Sequence, residues 1–72
     1  MIKIVYYSEV IDNWGRTESS EKPEVIHSIL NDPDGFNDDM TFEDPDGNVY
    51  FIDDLIGKEV SIDGFEPFTV TE

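Results

Sequence analysis

An α+β domain, with one short helix packed on a small, mostly antiparallel sheet in the order β-α-β-β-β-β, is the fold that this 72-residue sequence predicts. Three observations predict it. Ile2 to Ile11 is rich in Ile, Val and Tyr and shows the two-residue period of a strand. Val25, Ile26, Ile29 and Leu30 fall on one stripe of a helix. Two later segments each read as a pair of strands joined by a tight turn.

In the first strand, Ile2, Ile4, Tyr6, Ser8 and Val10 alternate with Lys3, Val5, Tyr7, Glu9 and Ile11. Both faces are apolar in its first half, which predicts a central strand. Residues 12–20 are turn formers and polar groups and predict a loop. Ser19 or Ser20 is expected to cap the helix, Pro23 fits its first turn, and Glu21 and Glu24 suit the positive end of its dipole. Asn31-Asp32-Pro33 ends it, because the residue before a proline avoids helical geometry. A helix of about three turns is too short to stand alone and must dock on the sheet.

Met40–Glu43 and Asn48–Ile52 flank Asp44-Pro45-Asp46-Gly47. Proline second and glycine fourth predict a type I turn followed by a left-handed residue, and hence a hairpin. Asp53–Gly57 reads as a single helical turn ended by glycine. Glu59–Ile62 and Phe65–Val70 form the second hairpin around Asp63-Gly64, and Pro67 places the last strand at an edge or on a bulge. Asp32-Pro33-Asp34-Gly35 recurs as Asp44-Pro45-Asp46-Gly47, which predicts two similar turns and not a repeat architecture.

Residues 1–72 make one small acidic domain. A chain of this length buries only about 60% of the surface its unfolded form exposes. With no cysteine, neither disulfides nor thiolate metal sites can staple it. Even so, 38% of residues are apolar, among them five Phe, three Tyr and Trp14, which separates the chain from disordered acidic tails. The run Met1–Tyr7 is too short for a signal peptide and is followed by no small-residue cleavage site. No stretch reaches the ~20 apolar residues of a membrane span, and anionic headgroups would repel the protein. A cytoplasmic protein with no membrane partner is the expectation.

The net charge is −14, from 18 acidic residues against four basic ones. Ten of the acids lie between Pro23 and Gly57, a stretch without lysine or arginine: Glu24, Asp32, Asp34, Asp38, Asp39, Glu43, Asp44, Asp46, Asp53 and Asp54. The preceding residues carry −1 and the following ones −3. Such crowding opposes folding through self-repulsion. It points to a partner with a positively charged surface.

Other chemistries fit less well. An EF-hand loop needs a carboxylate at position one, but Leu30 or Phe42 stands there when Gly35 or Gly47 takes position six. Only an irregular calcium site using Asp32, Asp34, Asp38 and Asp39 stays open, and no metal or other cofactor is expected. His27, the only histidine, is expected on the solvated side of the helix, and its neighbour Ser28 cannot face it. Paired carboxylates working as acid and base need an enclosed site, which so small a domain rarely builds, so an enzyme is not expected. Direct nucleic-acid binding is excluded by the shortage of Lys and Arg. Both aspartate-flanked glycine turns would repel a phosphate. Trp14, in Asn13-Trp14-Gly15-Arg16, reads either as an interface anchor or as a cover for the core. The scarcity of burial favours the core.

Inverting the phosphate argument gives the functional expectation. Duplex DNA carries one negative charge per ~1.7 Å of axis, and a rigid acidic domain can present a comparable array. Being short, very acidic, folded and free of cysteine, the chain resembles in general character the small acidic DNA-mimic proteins. Phages and mobile elements use those proteins against host nucleases, glycosylases and restriction or CRISPR systems. No motif assigns it to one such family. The resemblance implies a partner that is a basic, nucleic-acid-binding protein, met in the host cytoplasm. The expected binding surface is Asp32, Asp34, Asp38, Asp39, Glu43, Asp44, Asp46, Asp53 and Asp54, with Trp14 beside it. The alternatives are an accessory module that binds through a sheet edge or Trp14 without mimicry, and acidity serving only solubility or salt tolerance.

Overall fold

The computed structural model describes all 72 residues, Met1–Glu72. It is an α+β fold with one main helix, as the sequence predicts, but its strands make two sheets instead of one. Strands β1 (Ile2–Lys3) and β2 (Tyr6–Val10) replace the single long first strand. The change of sheet falls at Ile4-Val5. The Ile4 N–H donates to the Ser61 carbonyl at 3.0 Å, whereas the Val5 N–H donates to the Glu43 carbonyl at 2.9 Å on the other side. One segment thus serves both sheets, which is why both its faces are apolar.

Residues 12–20 contain a strand where a loop was expected. β3 (Thr17–Ser20) pairs antiparallel with β2, placing Tyr7 opposite Ser20 and Val10 opposite Thr17. Its residues are polar because it is an edge strand with little to bury. The tip of this hairpin is tied by Asp12, whose carboxylate accepts the Trp14 N–H at 2.8 Å and the Arg16 N–H at 3.2 Å and pairs with the Arg16 guanidinium. Gly15 follows at φ 79°, a left-handed conformation that favours glycine.

Helix α1 (Pro23–Leu30) stops as expected but starts later than a Ser19 or Ser20 cap would give, with Lys22 as its N-cap and no side-chain capping bond. Ser20 instead accepts the Lys22 N–H at 3.0 Å, closing the turn ahead of the helix. The helix buries Ile26 and Leu30. A 3-10 turn at Pro33–Gly35 follows. β4 (Met40–Glu43) and β5 (Val49–Phe51) form the expected hairpin, with Gly47 at φ 86°. The two Asp-Pro-Asp-Gly segments share their hydrogen bonds but differ at the glycine, which is left-handed at Gly47 and not at Gly35. Asp32 and Asp44 accept the N–H two residues on, at 3.1 and 3.0 Å, and the glycine N–H donates to the aspartate carbonyl at 3.1 Å in both.

α2 (Ile52–Leu55) is the expected single turn, begun one residue early, and Asp54 accepts the Phe51 N–H at 3.0 Å. β6 (Glu59–Ser61) and β7 (Phe68–Thr69) pair antiparallel, with β7 cut short by Pro67. β1 runs parallel to β6, giving a three-stranded sheet β1-β6-β7. The second sheet is antiparallel, in the order β3-β2-β4-β5.

Eleven residues form the core, and none is polar beyond the Tyr7 hydroxyl. Phe42, Met40 and Tyr7 come from the four-stranded sheet, Val60 from β6, and Ile62 and Val70 from just beyond β6 and β7. Ile4, Ile26, Leu30, Ile52 and Leu55 fill the space between. His27 is not solvated as expected. It stacks on Phe65 with ring centroids 3.9 Å apart and meets Phe68 edge-on at 5.2 Å, so it fastens α1 to the last hairpin. Trp14, expected over the core, is 85% exposed at the β2–β3 tip. Asp12 holds the loop away from the body, and the aromatic role at the core falls to Phe42 and Tyr7.

Candidate partner-binding surface

Register determines where the acidic residues stand. In the four-stranded sheet Tyr6 lies opposite Glu43, Glu9 opposite Met40, and Thr41 opposite Phe51. Asp38 and Asp39, just ahead of β4, therefore sit at the same end of the sheet as Asp53 and Asp54, just after β5. The Trp14 hairpin leaves β2 at this end, where the Val10 N–H donates to the Asp39 carbonyl at 3.4 Å. Asp38 and Asp53 line a cleft of about 170 Å³ with Glu72, Pro33 and Phe36, which brings the Asp32–Asp34 turn to the same end.

Glu43, Asp44 and Asp46 occupy the opposite end of β4. Glu43 and Asp44 are joined there by Glu21 around a groove of about 420 Å³ floored by Val5 and Tyr6. At ~3.4 Å per residue, Asp39 and Asp44 stand roughly 17 Å apart along the strand. The expected surface thus divides into two anionic clusters. Nowhere do three carboxylates converge closely enough to hold a metal ion.

The clusters lack internal compensation. The molecule contains two ion pairs, Lys3–Asp63 at 3.1 Å and Arg16–Asp12, and neither involves the ten central carboxylates. Asp34, Asp38, Asp39, Glu43, Asp46 and Asp53 use no side-chain oxygen in any bond within the protein, so theirs are free for a partner.

Asp44 differs. It accepts the Asn48 side-chain amide at 2.9 Å, the Asn48 N–H at 2.9 Å, the Asp46 N–H at 3.0 Å and the Tyr50 hydroxyl at 3.1 Å. These bonds, the Asn48 side chain foremost, hold its carboxyl below the usual range, and the bond that the Tyr50 hydroxyl donates to Asp44 raises Tyr50. At the other end Glu9 accepts the Tyr7 hydroxyl and the Asn37 amide, both at 2.5 Å, which lowers Glu9. Burial raises Tyr7, and its bond to Glu9 adds to the effect. Sequence reasoning missed the Glu9–Asn37 link because 28 residues separate its ends.

Two predictions arise here. Because no cation neutralises the central acids, sodium chloride is expected to raise the melting temperature as the Debye length falls from ~30 Å at 0.01 M to ~3 Å at 1 M. A melting temperature that fell with salt would mean that attractions dominate this surface. The second concerns acid. A carboxyl lowered in the folded state contributes stability that is present above its unfolded pKa and lost as pH falls through its folded value. Asp44→Ala is therefore expected to melt below the parent at neutral pH, with the gap narrowing as pH falls below about 4. Thermal melts across the acid range check this, and a gap independent of pH would contradict it.

No family model, curated protein or solved structure matches the chain.

Proposed function

We propose that the protein is a DNA-mimic-type inhibitor that occupies the positively charged cleft of a nucleic-acid-binding protein. The targets that suit it are host-defence nucleases, restriction or CRISPR enzymes and DNA-repair enzymes, which suggests a phage or mobile-element source acting in the host cytoplasm. One observation carries this reading: ten carboxylates in a folded domain have no cation paired with them. Self-repulsion of this kind is relieved when a basic surface supplies the missing charge.

The layout supports it further. A duplex groove is two phosphate rails with a neutral floor of base edges between them. Here two anionic clusters roughly 17 Å apart flank a sheet face that carries little charge, a scale comparable to the ~12 Å width of the major groove. No bound cofactor is needed for such a role, and no helix is long and apolar enough to cross a membrane.

The test is affinity capture from host cytoplasm followed by displacement. Duplex DNA is expected to release the captured protein, because both compete for one cleft. A captured protein indifferent to DNA would sink the mimic reading and favour the accessory-module alternative.

A further inference from the structure

The four-stranded sheet has two faces, and only one packs on the core. Tyr7, Met40 and Phe42 point inward, so the intervening residues of β2 and β4 and their cross-strand partners form the outer face. Ser8, Val10, Thr41, Val49 and Phe51 lie there, with Glu43 as the face's one acid. In a chain where a quarter of the residues are acidic, a sheet face this neutral is a departure. No element covers it: Val10 is 43% exposed, Val49 54% and Phe51 53%. Past the end of β2, Ile11, 52% exposed, leads into the tip that presents Trp14. Exposed aromatic and aliphatic side chains ringed by charge are the composition of an interface centre within a polar rim.

We infer that this outer face, with Trp14 at its end, is the docking surface for a basic protein. That protein's contact strip is apolar and bordered on both sides by lysine or arginine. The inference deepens the DNA-mimic reading and rests on it only for the sign of the partner's charge. Charge complementarity selects this occupant. The face is bounded at one end by Asp38, Asp39 and Asp53 and at the other by Glu43 and Asp46, so whatever covers the centre must answer carboxylates at both borders.

A second copy of the chain does not. Stacking two such faces would bring two sets of unpaired carboxylates together. Nor is the face large enough by itself. Four strands ~4.8 Å apart and about 17 Å long cover a few hundred Å², well below the roughly 800 Å² per partner of a stable complex. A heterologous partner reaches that area by contacting both acidic ends and Trp14 as well. The apolar centre would supply affinity that persists in salt, and the ends would supply steering.

Two peptides carrying the same number of lysines test this: one alternates lysine with leucine, and the other is oligolysine. Trp14 is the only tryptophan, so its emission reports burial directly. At about 0.15 M salt the alternating peptide is expected to bind at least about tenfold more tightly than oligolysine and to shift Trp14 emission to the blue. The Val49→Ser/Phe51→Ser variant should lose that advantage while binding oligolysine as before. Val10→Ser, on a different strand, is a second variant should the first fail to fold. Equal affinity for the two peptides, or an advantage unchanged in both variants, would overturn the docking face. Sedimentation showing a dimer dispersed by the same substitutions would overturn the choice of occupant. If Asp38, Asp39, Glu43, Asp46 and Asp53 were changed to their amides and oligolysine binding did not weaken, the charge reading would fail. The alternating peptide's advantage would still judge the face.

Discussion

Phe42→Ala is expected to cost the domain a large share of its stability. Phe42 is completely buried on the central strand β4, against Tyr7 with ring centroids 5.8 Å apart. Truncating such a phenylalanine costs about 3–5 kcal/mol. At ~0.05–0.15 kcal/mol per residue, a domain of this size has only about 4–11 kcal/mol in total. No disulfide or metal stands in reserve. The measurement is urea titration followed by circular dichroism, in which the variant's midpoint should fall far below the parent's. Phe51→Ala provides the contrast. Its side chain is half exposed, so its loss should change stability by no more than about 0.5 kcal/mol. Equal midpoints for Phe42→Ala and the parent would mean that the core is not organised around this ring.

The second large effect is expected from the amide variant of Asp38, Asp39, Glu43, Asp46 and Asp53. These substitutions remove five negative charges from a net of −14. None of the five side chains accepts a bond or pairs with a cation inside the protein, so the fold loses nothing by their neutralisation. Relief of repulsion should raise the melting temperature in dilute buffer, and the response to added salt should shrink. Binding to a basic partner should move the opposite way and weaken by about tenfold or more, since steering and contact both depend on these groups. A gain in stability with loss of binding separates a functional acidic surface from one serving only solubility. If binding were untouched, the acids would be dispensable to recognition.

Much of the fold was legible because local patterns and tertiary packing agreed. The stripe Val25, Ile26, Ile29 and Leu30 fixed α1, and Pro23 and Pro33 bounded it within a residue or two. The Asp44–Gly47 turn fixed the β4–β5 hairpin, because its aspartate, proline and glycine each favour that backbone. β3 was not legible. Thr17–Ser20 has no apolar face, and its strand character comes only from pairing with β2. The division into two sheets was hidden for a related reason, since Ile2–Ile11 has the same period on either side of the crossover at Ile4-Val5.

The candidate site shows the same split. Composition located the acids but not their partition, which depends on β4 and β5 running antiparallel. Trp14 lies outside the core because Asp12 organises its loop locally, a contact that burial statistics do not anticipate. His27 was placed in solvent by helical periodicity alone, while Phe65, 38 positions later, supplied its stacking partner. The neutral outer face followed only once the register of four strands was known.

The central claim is that unpaired carboxylates on this domain stand in for the phosphates of a duplex. Its most direct test is the affinity of the captured complex measured from low to moderate salt. The parent is expected to show a steep linear fall of log K with log salt, and the five-amide variant a markedly shallower one. Parallel lines for the two, or an affinity that salt leaves unchanged, would contradict the account.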